Sequence, residues 1–280
     1  MGYDAGSMSR ASFPVTVLIV AAVAGSAQSP AERRGAVGAG KFDEFEVASI
    51  KLAEPNAVGR YIRMQGAHQF LAWNHALKTL IAAAYNLSPR AISGGPAWIE
   101  SDHYNIVAKT PTDLRPNWDE QMAMLRKLLA DRFQLTFHRE PKELSIYALT
   151  VAKGGPKLTP TAISPDSFPE GPPPLIFVVS PELVRLPARY ATMGDLASVM
   201  QRAALDHPVV DQTGLTARYD FDLEFAPDET LFGGALGKGE NATKPGLFRA
   251  LAEQLGLKLQ ATKGPVDVLV VDHAGRPSEN

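Results

Sequence analysis

The sequence contains no cysteine. That absence excludes disulfide staples, thiol nucleophiles, thiolate zinc sites, iron–sulfur ligation and an N-terminal lipid-bearing cysteine. Small extracellular scaffolds seldom manage without disulfides, so stability has to come from a packed core. Strong charge of either sign is also missing: 28 Lys and Arg stand against 30 Asp and Glu, a formal net charge of -2. Nothing global therefore favours nucleic acid or an anionic membrane as partner. The six histidines, His68, His75, His103, His138, His207 and His273, include no pair at helical zinc-site spacing with an intervening Glu. A nucleophile elbow and a phosphate-cradling glycine loop are absent too. No cofactor is expected.

What is present begins with a leader. Arg10 precedes an apolar run from Phe13 to Ala24, and the small residues Gly25, Ser26 and Ala27 place cleavage before Gln28. The run falls short of the roughly 20 residues that span a bilayer. Residues 1–27 are thus read as a signal peptide, the mature protein as secreted or periplasmic, with no stable membrane span after cleavage. About 250 mature residues suffice for one large domain or two small ones.

Along the mature chain, residues 28–42 read as a flexible segment rich in Gly and Ala. Phe45 to Lys51 alternates apolar and polar residues and predicts a strand with one buried face. Leu125 to Ala148 can be laid on Leu247 to Val270 at a constant offset. Leu125, Leu129, Phe133, Leu135 and Phe137 then fall on Leu247, Leu251, Leu255, Leu257 and Leu259. Each copy has helical spacing that switches to alternation, then a polar turn (139–142 or 262–265), then a second strand (144–151 or 266–272). A looser pair precedes them, with helices opening at Leu77 and Met193 after caps at Asn74 and Thr192. The predicted class is α+β, in two related halves, each with helices followed by antiparallel β-hairpins. The boundaries are 43–155 for the first half, 156–174 for a Pro/Gly-rich linker and 175–280 for the second half.

Several strings occur together: Phe45-Glu46-Val47-Ala48-Ser49-Ile50-Lys51, Ile92-Ser93-Gly94-Gly95-Pro96-Ala97-Trp98, Leu128-Leu129-Ala130-Asp131-Arg132-Phe133, Val210-Asp211-Gln212-Thr213-Gly214-Leu215 and Glu253-Gln254-Leu255-Gly256-Leu257-Lys258-Leu259. With them the chain resembles a family of uncharacterised secreted proteins of soil acidobacteria, built on a domain of unknown function. The resemblance covers nearly all the mature chain. Related domains are found attached to sensor-type membrane metallopeptidases. The resemblance implies export and supplies no catalytic residue.

Candidate ligand contacts are the aromatic and ionisable residues beside the Gly94-Gly95 turn, namely Trp98, Asp102, His103 and Tyr104, and a second group with Arg132 and His138. Asp211-Gln212-Thr213-Gly214 reads as a capped turn, the inserted Gln separating it from a protease Asp-Thr-Gly. Asp220, Asp222 and Glu224 read as a solvent face opposite Phe221, Leu223 and Phe225. The leading expectation is a non-enzymatic binding or sensing module for a peptide, glycan or envelope protein, with no nucleic acid. Two rivals stay open: a hydrolase with an Asp/His site, and an envelope-assembly domain similar to secretin N-terminal domains.

Overall fold

The computed structural model describes residues 42–57, 59–111, 115–164, 175, 177–180, 182–232 and 243–277. The leader at 1–27 and the adjoining segment to residue 41 lie outside the described residues, as do 165–174 of the linker. The elements in the first part of the chain are β1 (Val47–Leu52), β2 (Tyr61–Gln65), β3 (Gln69–Ala76), α1 (Leu77–Ala84), β4 (Ile92–Gly94), α2 (Trp98–Ser101), β5 (His103–Lys109), α3 (Trp118–Arg132) and β6 (Thr136–Val151). There follow β7 (Thr159–Pro160), β8 (Val178–Val179), β9 (Val184–Ala191), α4 (Met193–Val199), β10 (Val209–Asp211), β11 (Tyr219–Phe225), α5 (Leu247–Ala250) and β12 (Leu257–His273). The fold is α+β, as the patterning predicts. Among the described residues no helix is long and apolar enough to cross a membrane.

Among the described residues three sheets of four strands form. Their orders are β1-β5-β3-β2, β10-β6-β12-β4 and β7-β11-β9-β8. In the middle sheet β6 and β12 pair antiparallel from Val151↔Leu257 to Thr136↔His273. β10 adds in parallel to one end of β6, and β4 in parallel to one end of β12. This corrects the hairpins expected within each half. Residues 139–142 and 262–265 do not turn; they lie inside 16- and 17-residue strands. They look like turns because the middle of the ladder lies beyond the reach of β10 and β4, so polar side chains and Pro141 and Pro265 are tolerated on its open edges. Arg139 and Asp267 pair there across the ladder at 2.9 Å. The helix-to-hairpin units from which a likeness to secretin domains is read are therefore not formed; consecutive antiparallel strands pair instead at β2–β3 and β8–β9.

The apolar residues divide between two cores. One gathers Ile50, Phe70, Leu80, Ile106, Leu125, Leu129 and Phe133. The other gathers Leu186, Leu196, Leu223, Phe225, Leu247, Leu251 and Leu257. The long strands cross between them: Leu149 of β6 lies in the second core, and Leu269 and Val271 of β12 in the first. Local sequence explains the helix starts. Asn117 and Glu120 form a capping box on α3, and Thr192 and Asp195 form one on α4, as expected for Thr192. The cap expected at Asn74 is not made. α1 starts directly from β3 with Ala76 before it, while Asn74 sits two residues earlier at φ 56 in a bulge, a conformation Asn accepts more readily than most residues.

Candidate functional site

The first sheet buries one face and presents the other to solvent, because side chains alternate along a strand. Ile50, Phe70, Ala72, Tyr104, Ile106 and Ala108 point into the core. The other face carries Val47, Lys51, Tyr61, Arg63, Leu71, Trp73, Val107 and Lys109. Its four strands contain no Asp or Glu. Large apolar groups remain open to water there: Val47 is 64% exposed, Val107 39%, and Tyr61 and Trp73 37% each. Tyr61 and Trp73 are cross-strand partners with rings 6.4 Å apart and only 9° from parallel. The Arg63 guanidinium lies 4.7 Å from the Tyr61 ring centre. Lys109 pairs with Glu46 at 2.7 Å. Lys51 and Arg63 have no carboxylate partner among the described residues.

The bulge after Ala72 lies next to Trp73 and is braced from several sides. The Asn74 side-chain amide donates to the carbonyls of Ala57 and Gly59, each at 3.0 Å, and its backbone N–H donates to Asn105 Oδ1 at 2.8 Å. His103 Nδ1 donates to Asn74 Oδ1 at 2.7 Å. His103 thus belongs to the brace of this face. Beneath it His75 is buried, with Nδ1 3.1 Å from the Thr79 hydroxyl, which itself donates to the Ala76 carbonyl. Burial, and then the charge of Arg60, lower the His75 pKa from 6.5 to about 3, so the imidazole is neutral near pH 7.

The third sheet provides an internal comparison, because its strands follow a matching order. Its outward charges are satisfied: Arg185 meets Glu224 at 2.9 Å, Arg189 meets Asp222 at 3.3 Å, and Asp220 accepts from the Tyr190 N–H at 2.7 Å, while Val178 on the edge strand, opposite Arg185, stays 58% exposed. Phe221, Leu223 and Phe225 are buried behind them. Asp220, Asp222 and Glu224 are therefore an ordinary solvated face. Asp211 likewise caps its own turn, accepting from the Thr213 N–H at 2.9 Å, with Gly214 at φ +69.

The remaining expected contacts are distributed over several elements. Trp98 opens the short α2 and is half-buried, with the Arg276 guanidinium 5.1 Å over its ring. Arg276 is also paired with Asp102 at 2.9 Å. Tyr104 is 3% exposed and meets Trp98 and Phe133 edge to face, so its ring packs in the core. Burial raises its phenol pKa. Arg132 donates to the Ala48 carbonyl at 3.2 Å and, with Glu44, Val47 and Asp131, lines an open depression of about 200 Å³. His138 pairs with Asp272 on the middle sheet at 2.7 Å. Trp98, Asp102 and Tyr104 therefore share one cluster with Arg276, while Arg132 and His138 stand elsewhere.

A second depression, of about 260 Å³, lies on the β6–β12 pair and is lined by Ser145, Tyr147, His207, Thr262 and Lys263. His207 Nδ1 is 2.6 Å from Asp206 Oδ1. Among the described residues no group of three His, Asp or Glu side chains could hold a metal ion. Tyr61, Arg63 and Trp73 are the exposed ligand-type residues that sequence reasoning missed, although the alternation Tyr61-Arg63-Gln65 carries the signal.

The model of a family described as "Protein of unknown function (DUF3738)" matches residues 78–274. The match begins inside α1, so of the strands carrying the exposed aromatic face it includes β5 alone. No curated protein and no solved structure matches the chain.

Proposed function

We propose, from the premise that the chain belongs to the DUF3738 family of proteins of unknown function and so inherits no assigned activity, that it is a non-enzymatic binding module. Its contact surface is the outer face of the first sheet. The observation that carries this reading is the contrast between two sheets of matching strand order. One has an outward face of paired charges, while the other exposes Tyr61, Trp73, Val107 and Val47 beside cations in strands without any carboxylate. Aromatic and arginine side chains are the groups most often found at the energetic centre of interfaces. Strands that carry cations and no carboxylate, with Glu46 beside them pairing Lys109 alone, call for an anionic partner. Export is part of the proposal and rests on the Arg10, apolar-run and Ala27 pattern; the acidobacterial, secreted character is part of it too and rests on the sequence strings alone.

Internal duplication is also proposed. It is supported by the matching sheet orders and by the middle ladder, where Glu143 pairs with Pro265. Those two residues stand at the same sequence offset as Leu129 and Leu251, so the ladder's centre pairs a residue with its own counterpart.

The test is gel retardation of the full chain by four probes: polygalacturonate, poly-L-glutamate, a single-stranded dT oligonucleotide and phosphatidylglycerol vesicles. Retardation by at least one is expected, and its loss in the Tyr61→Ala/Trp73→Ala variant. Retardation by none, or an unchanged double variant, contradicts the reading. One arrangement favours a second reading as a hydrolase: Asp206 on His207 Nδ1, beside Ser145 in the same depression. Turnover of an ester or peptide that disappears in Ser145→Ala and in His207→Ala would establish it in place of the first.

A further inference from the structure

We infer that the ligand of the first sheet's outer face is a polysaccharide bearing carboxylates at intervals, such as a polyuronate. This rests on the reading of that face as a binding surface and adds the chemical class. The register lays the face out in rows. Val47, Lys109, Gln69 and Gln65 form one; Ser49, Val107, Leu71 and Arg63 the next; Lys51 and Asn105 continue into the third, where Trp73 and Tyr61 are paired. Three kinds of group are interleaved there, and each has a counterpart on a uronate chain. The Trp73 ring, stacked nearly parallel with Tyr61 and 37% exposed, offers apolar surface suited to the C–H groups of a pyranose, while the Arg63 guanidinium already lies over the Tyr61 ring. Ser49, Gln65, Gln69 and Asn105 supply neutral hydrogen-bonding groups for hydroxyls. Lys51 and Arg63 supply positive charge for carboxylates.

The combination of charge with aromatic rings and neutral amides selects between anionic polymers. Lys51 on β1 and Arg63 on β2 lie three strand intervals apart across the sheet, about 14 Å at the usual 4.7–4.9 Å strand spacing, and one row apart along it. An acidic peptide would meet the same cations, yet it has little use for neutral amides on the same face as paired aromatic rings. A sugar chain with one carboxylate per residue or per repeat uses all three groups.

The test is isothermal titration of the full chain with polygalacturonate, methyl-esterified polygalacturonate, poly-L-glutamate and a dT oligonucleotide. Polygalacturonate should bind, more weakly as salt is added. The esterified polymer, which keeps the sugar and loses the charge, should bind roughly tenfold more weakly or worse. Trp73→Ala and Lys51→Glu/Arg63→Glu should each weaken polygalacturonate roughly tenfold or more, while Arg185→Ala on the third sheet leaves it unchanged. These positions are exposed, so circular dichroism should show native folding in all three variants. Esterified polymer bound equally well, or indifference to Trp73→Ala, overturns the inference. Poly-L-glutamate or the oligonucleotide bound as tightly as polygalacturonate, with the same dependence on Trp73, also overturns the glycan assignment while leaving the binding surface standing.

Discussion

Replacing Gly256 by alanine is expected to destabilise the protein by about 2 to 5 kcal/mol, the sum of left-handed backbone strain and a forced shift of packed neighbours. Gly256 turns the chain from the helical segment Leu251–Leu255, which continues α5, into β12, at φ +65. An added Cβ would overlap the Gly155 carbonyl oxygen and come within 2.9 Å of the Lys157 nitrogen. Neither atom belongs to a flexible side chain that could swing aside. Two hydrogen bonds anchor the same place: Ala152 N–H to the Gly256 carbonyl at 2.9 Å, and Lys157 N–H to the Leu255 carbonyl at 2.8 Å. Gly154→Ala is the matched control, because its Cβ would meet nothing within 4 Å. Urea denaturation of both variants checks the difference. Equal midpoints for the two would show that the turn gives way without cost.

Leu129→Ala and Leu251→Ala are each expected to cost about 2 to 5 kcal/mol, as large-to-small changes at fully buried positions. They strike different cores, yet each variant should still unfold in a single transition. The reason is the β6–β12 ladder: its two strands contribute Leu149 to one core and Leu269 and Val271 to the other, so neither core is complete without a strand that the other half supplies. Scanning calorimetry checks this by comparing calorimetric with van't Hoff enthalpy. Two separated transitions in either variant would show that the halves unfold independently.

Local signals were legible where they are strong. The passage from helix spacing at Leu125 and Leu129 to alternation at Phe133 and Leu135 reads directly as α3 running toward β6, and Thr192 with Asp195 reads as a capped helix start. The Asp211 turn is equally local, since its acceptor and its donors lie two residues apart. What failed depended on distant partners. Residues 139–142 are polar and contain Pro141, which is how a turn looks; only the pairing of Pro141 with Asp267, more than a hundred residues away, makes them a strand. Asn74 precedes a helix, as a cap would, but the carbonyls of Ala57 and Gly59 hold its side chain in a bulge. The exposed face escaped for a related reason. Tyr61 and Trp73 become one surface through register, and the acid-free character of four strands emerges only when β5 is placed between β1 and β3.

The central claim, that the outer face of the first sheet is the binding surface, is tested most directly by hydrogen–deuterium exchange of the full chain with and without polygalacturonate. The account predicts added protection in peptides spanning 47–52, 61–76 and 103–109, and none in 184–191 or 219–225, whose outward charges are already paired. Protection confined to the third sheet, or to the depression around Tyr147 and His207, would contradict it.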